Sequence, residues 1–201
     1  METIKSIAEL ENLYGKPGEA AVLKVTPLLT PAYQKWIERS RFCVLSTVAA
    51  EGTDGSPRGD DGPVVRVLDA NTLALPDWSG NQRIDSLRNI VRDGRVSLLF
   101  MVAGSNNVIR VNGTAVLSAD PAITGRFEQR GKQPKVVILI TIKEVYSQCA
   151  RSLMRADLWN KDDQSEGLPS VGEIMSEISE GGFDGDAYDE GWLERAKTTM
   201  W

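Results

Sequence analysis

Six apolar runs rich in β-branched residues, packed into 108 residues of chain, limit most strongly what this sequence can fold into. They are RFCVLSTVA (41–49), PVVRVLD (63–69), TLALP (72–76), RVSLLFMVA (95–103), VIRVNGTAVLS (108–118) and KVVILITIKEVYSQ (135–148). β-Branched and aromatic side chains fit a pleated, half-buried surface, and Gly, Asp, Asn and Pro bound each run. DANT joins the second run to the third and GSNN the fourth to the fifth, so these neighbours are predicted to be antiparallel hairpins. One helix-like stretch, 82–92, interrupts the meander. A doubly wound sheet needs repeated βαβ units. Hairpins with a single inserted helix instead predict a mainly β fold, a six-stranded antiparallel barrel that is closed or nearly closed and so hides its edges.

Around these strands the pattern is helical. Residues 3–14 are amphipathic, with Ile4, Ile7, Ala8 and Leu10 near one face, and Thr30 followed by Pro31 is an N-cap and N1 pair for a second helix. Beyond residue 150 the chain turns helical and acidic, with two short helices around a Gly/Asp loop. The predicted organisation is a helical extension (1–40), a barrel (41–160) and a helical tail packed on the barrel (161–201).

With 201 residues and 41% hydrophobic content the chain can bury a full core. Its 23 basic and 28 acidic residues leave a net charge of −5, which disfavours nucleic acid and anionic membranes and points to a small-molecule partner. The start METIKSIAELENLYG has no basic region followed by a long apolar one, and no run of about 18 uncharged apolar residues occurs, so a cytoplasmic protein is expected. Cys43 and Cys149 lie in apolar, strand-like surroundings and are predicted to be buried, reduced thiols. The sequence contains no histidine, which excludes Ser-His-Asp hydrolysis and histidine-bound metal. No metal site is expected, and if the chain is an enzyme an organic cofactor supplies the chemistry.

The stretch PDWSGNQRIDSLRNIVRDG (76–94) places Arg83 where a strand passes through a glycine turn into a helix. The first turn of a helix carries backbone N–H groups without intrahelical partners, and a cation beside them suits a phosphate. Arg58 stands in the turn-rich SPRGDDGP (56–63). Arg66 shares a strand face with Val64 and Leu68, and Arg110 interrupts VIRVNG, so each needs a partner, either a carboxylate such as Asp60, Asp69 or Asp85 or a bound anion.

The ordered series SPRGD, VRVLD, TLALPDWSGNQRIDSLRNI, RVSLLFMVAG and IRVNGTA resembles the FMN-binding split-barrel proteins related to pyridoxamine 5′-phosphate oxidase, in particular a bacterial subgroup of FMN-dependent oxidases. The resemblance spans about residues 40–160. It implies a homodimer with FMN in clefts between subunits, acting as an oxidoreductase. A flavin-binding or storage module and a deazaflavin-dependent reductase of the same fold are the alternatives. It further implies that Val65, Arg66 and Val67 run beside the flavin, that Pro76 and Asp77 close over the ring edge, and that Arg83 takes the phosphate with Asn81, Gln82 and Ser86 lining the turn. Arg58 becomes a second phosphate contact. In CARSLMRADLW (149–159) Arg155 and Trp159 fall four apart on one predicted helical face, with Trp159 capping a pocket. Two features of the vitamin oxidase itself are missing. Its strand glutamine is replaced by Asn107 or Val108, and its C-terminal substrate arginines and histidine have no counterpart.

Overall fold

A computed structural model describes residues 1–160 and 162–201. In chain order the elements are α1 (Ile7–Tyr14), α2 (Glu19–Leu23), α3 (Pro31–Arg39), β1 (Phe42–Ala49), β2 (Gly52–Gly59), β3 (Arg66–Asp69), β4 (Thr72–Asp77), α4 (Asp85–Arg92), β5 (Arg95–Met101), β6 (Val108–Ser118), α5 (Pro121–Thr124), β7 (Val136–Gln148), α6 (Arg151–Ala156), α7 (Val171–Ile178), α8 (Gly185–Glu190) and α9 (Trp192–Thr199). All strands join one antiparallel sheet in the order β2-β1-β5-β6-β7-β4-β3.

The two edge strands are consecutive in the chain, and this forces the sheet to curl. Laid flat, seven strands about 4.8 Å apart would separate β2 from β3 by about 29 Å, whereas the connector from Gly59 to Arg66 reaches at most about 24 Å. The result is a split barrel filled from inside. Strand alternation puts Cys43 and Leu45 of β1, Val96, Leu98 and Phe100 of β5, and Ile138 and Ile140 of β7 inward, where they pack against Ile37 and Ile90 from the helices. Where β6 and β7 shift register at Asn112/Gly113, a Cβ at Gly113 would lie 2.1 Å from the Thr141 carbonyl oxygen, so only glycine permits that approach.

Seven strands form instead of the six expected. The additional one, β2, has the sequence GTDGSPRG, in which Gly, Asp and Pro are turn residues on propensity grounds. It survives because it is an edge strand paired on one side only with β1, a setting in which a strand tolerates proline. The expected strand at 63–69 shortens to β3, and Val64 and Val65 become buried loop residues.

The helices differ at their margins. Thr30 caps α3 by accepting from the Tyr33 N–H, as its sequence implies. The amphipathic 3–14 stretch forms only α1, capped by Ser6, and buries none of its residues. α6 ends at Ala156 where Asp157 turns left-handed at φ 49°, so Arg155 and Trp159 do not share a helical face. Cys43 is buried, but Cys149 is exposed, because β7 ends before it and the chain leaves the sheet there. No helix among the described residues is long and apolar enough to cross a membrane.

Candidate functional site

The curl leaves a cleft of about 1400 Å³ between β2, the end of β4, the turn leading into α4, the 132–136 segment and the tail. Period-two alternation along β2 turns Asp54, Ser56 and Arg58 toward it. Arg58 Nη1 donates to Asp77 Oδ1 at 2.5 Å, with only 18% and 21% of the two side chains exposed. These residues sit on opposite sides of the split, so the ion pair spans it. Asp60 makes a second crossing by accepting from Trp78 Nε1 at 2.7 Å and from Gln129 Nε2 at 2.8 Å. The Arg58 Nε is buried and meets no acceptor among the described residues.

The turn from β4 into α4 is strained. Gln82 and Ile84, on either side of Arg83, have φ of 60° and 53°, a left-handed conformation rare for a β-branched residue such as isoleucine. Ile84 provides no side-chain cap, so the first turn of α4, whose Asp85, Ser86 and Leu87 line the cleft, has none. Arg83 is 76% exposed and its Nε donates to Asp85 Oδ2 at 2.8 Å. It precedes the helix by two residues and does not open it. Buried Ser86 donates its hydroxyl to Asp54. The cleft thus gathers Arg58, Arg83, Lys132 and Lys135 against the carboxylates of Asp54, Asp77 and Asp85.

Of the eleven cofactor contacts expected from the sequence, Arg58, Pro76, Asp77, Asn81, Gln82, Arg83 and Ser86 line this one cleft. Four lie elsewhere. Val65 is a core residue and Val67 packs against the core; Val64, equally buried in the core, also backs the cleft wall. Arg66 is exposed, its guanidinium 4.8 Å from the Phe127 ring centre. Trp159 donates Nε1 to the Ser105 carbonyl at 2.8 Å, next to the β5–β6 turn. Arg110 neither pairs with a carboxylate nor joins the cleft: it donates to the Tyr146 hydroxyl at 3.1 Å and lies against that ring.

Asp54, Trp78, Lys132, Lys135 and Trp201 enter the cleft without having been singled out. Lys132 and Lys135 flank Pro134 in GKQPK, a cationic loop signal just before β7, but nothing local to the sequence places them opposite Arg83. The fully buried Cys43 lies opposite Arg58 in the β1–β2 register, and burial pushes its thiol up to about 12, with the arginine pulling slightly the other way. It takes no part as a nucleophile. No group of three or more His, Cys, Asp or Glu that could hold a metal occurs among the described residues.

The family model described as pyridoxamine 5′-phosphate oxidase matches residues 29–149, more than half of the chain and every strand of the barrel. No curated protein matches the chain. Among solved structures, HupZ from Group A Streptococcus is 19% identical over 59% of this chain and 93% of its own, at a TM-score of 0.49. A candidate pyridoxamine 5′-phosphate oxidase from Lactobacillus delbrueckii is 24% identical over 60% and 95%, also at 0.49. An FMN-binding protein from Syntrophomonas wolfei is 12% identical over 71% and 97%, at 0.44. At these identities and scores, none of the three assigns a role to a residue here.

Proposed function

Since the chain belongs to the pyridoxamine 5′-phosphate oxidase family, we propose that it is a flavoprotein that holds FMN in the cleft across the barrel split and acts as an oxidoreductase on a small molecule. One observation carries this reading: two arginines distant in sequence, Arg58 and Arg83, line the same cleft as the uncapped N-terminus of α4. Guanidinium groups give planar, bidentate hydrogen bonds to phosphate oxygens, and a helix N-terminus adds backbone donors and a favourable dipole.

The residues present fit the cofactor. The Arg58 Nε lacks an acceptor, and buried donors without one are rare in proteins, so an anionic oxygen supplied by a ligand completes its set. Arg83 is exposed enough to swing from Asp85 onto the phosphate. Within the same cleft, Leu75, Pro76, Trp78 and Pro134 form an apolar wall suited to a planar ring.

Bound FMN supplies hydride acceptance, so the chain needs no histidine base. The protein's share is binding, orientation and exclusion of water. Arg58, fixed by Asp77, sets the register of the cofactor. Arg83 and the α4 N-terminus neutralise its phosphate, and the apolar wall keeps water from one side of the ring.

The test is protein purified under native conditions. It should carry an oxidised-flavin absorption spectrum and release FMN on denaturation, and NADH or NADPH should bleach the flavin band without oxygen. Flavin that stays bound and is reduced by neither nicotinamide nor reduced deazaflavin would leave a binding module and remove the oxidoreductase assignment. A colourless protein that takes up no added FMN would overturn both.

A further inference from the structure

The cofactor reading leaves one feature of the cleft unused. Trp201 and Met200, beyond α9, line it beside Trp78. The two indoles meet edge to face, with centres 5.6 Å apart and planes at 84°. Lys132 Nζ fixes the tail by donating to the backbone oxygens of Thr198 at 2.9 Å and Trp201 at 3.0 Å. Trp78 is itself held through Asp60, so each contact locating Trp201 is anchored on the barrel. Two buried side-chain polar atoms among the described residues lack a partner, Arg58 Nε and Trp201 Nε1, and both belong to residues lining this cleft.

A buried indole N–H without an acceptor weakens the folded state, and edge-to-face packing against Trp78 would be served equally well by phenylalanine. The N–H therefore calls for an acceptor, and the place of the indole against Trp78, part of the apolar wall of the cleft, puts that acceptor on the ring. We propose that Trp201 is a ligand-contacting residue: its indole N–H donates a hydrogen bond to a carbonyl oxygen or ring nitrogen on the edge of the planar ring bound in the cleft. This rests on the FMN reading, since an isoalloxazine presents such acceptors along its edge while an aliphatic ligand does not. Lys132 and Trp78 are positioning residues that hold the indole in place.

The test uses the full chain and Trp201→Phe, which keeps an aromatic ring against Trp78 and removes only the donor. The wild-type protein has five tryptophans and so five indole N–H signals in a nitrogen-15 correlation spectrum; the signal missing from Trp201→Phe identifies Trp201. Saturation with FMN should shift that signal, and Trp201→Phe should bind FMN about two- to tenfold more weakly while its ligand-free form melts no lower than wild type. An unmoved Trp201 signal in FMN-saturated protein, or equal affinities, would overturn the proposal while leaving the cofactor reading intact. Wild-type protein that binds no FMN would instead refute the cofactor reading and with it this proposal.

Discussion

Replacing Arg58 by methionine separates what this residue does for the fold from what it does for the ligand. The substitution strands the Asp77 carboxylate, four-fifths of whose side chain is shielded from water. Breaking a fully buried pair costs about 3–5 kcal/mol, and the residual exposure here reduces that to about 2–3 kcal/mol. For a chain of this size the melting temperature of the ligand-free protein should fall by about 5–10 °C. FMN should bind roughly ten- to a hundredfold more weakly, the worth of one charge-assisted contact. Adding Asp77→Leu removes the stranded charge, and the double variant should return to within about 1 kcal/mol of wild-type stability. Its FMN affinity should stay low. Denaturant titration and flavin fluorescence titration on the same samples read both quantities. Recovery of FMN affinity together with stability, or undiminished affinity in the single variant, would refute the assignment of Arg58 to the phosphate.

Five further outcomes are expected. Arg83→Ala should weaken FMN about tenfold with no change in melting temperature, because Arg83 is exposed, and added salt should narrow the gap between variant and wild type. Iodoacetamide should label Cys149 and spare Cys43 in the native protein. Because the Cys43 thiol is raised from 9.0 to about 12 in the folded state, its contribution is intact below about pH 9 and falls away as pH rises toward 12, a loss that Cys43→Ala should lack in denaturant titrations across that range. Gly113→Ala should cost about 1–3 kcal/mol by forcing β6 off the Thr141 carbonyl, read as a lower melting temperature. Sedimentation at micromolar concentration should find a dimer of the 22.0 kDa chain, since α1 and α2 leave Ile7, Leu13, Val22 and Leu23 uncovered within one copy; a monomer would contradict this.

The barrel was legible because six of its strands are apolar runs rich in β-branched residues and bounded by turn residues, and Thr30–Pro31 spelled out the start of α3. β2 was not legible, because its identity comes from its partner β1 and not from the residues GTDGSPRG. The same limit applied to the site. Residues 76–86 form one contiguous piece of the cleft and were read together, and Arg58 joined them through a motif. Lys132, Lys135 and Trp201 arrive from the other side of the split by way of tertiary packing, which no local signal encodes. Val64 and Val65 both fall in the core because the strand begins at Arg66, three residues later than propensity implies, and the chain before it packs inward as a loop.

The central claim is that this cleft reads a phosphate with Arg58, Arg83 and the start of α4. Titrating the ligand-free protein with FMN and with riboflavin, which differs by lacking that phosphate, tests it most directly. FMN should bind at least about tenfold more tightly at low salt, the preference narrowing as salt rises. Equal affinity for the two flavins, or binding of neither, would contradict the account.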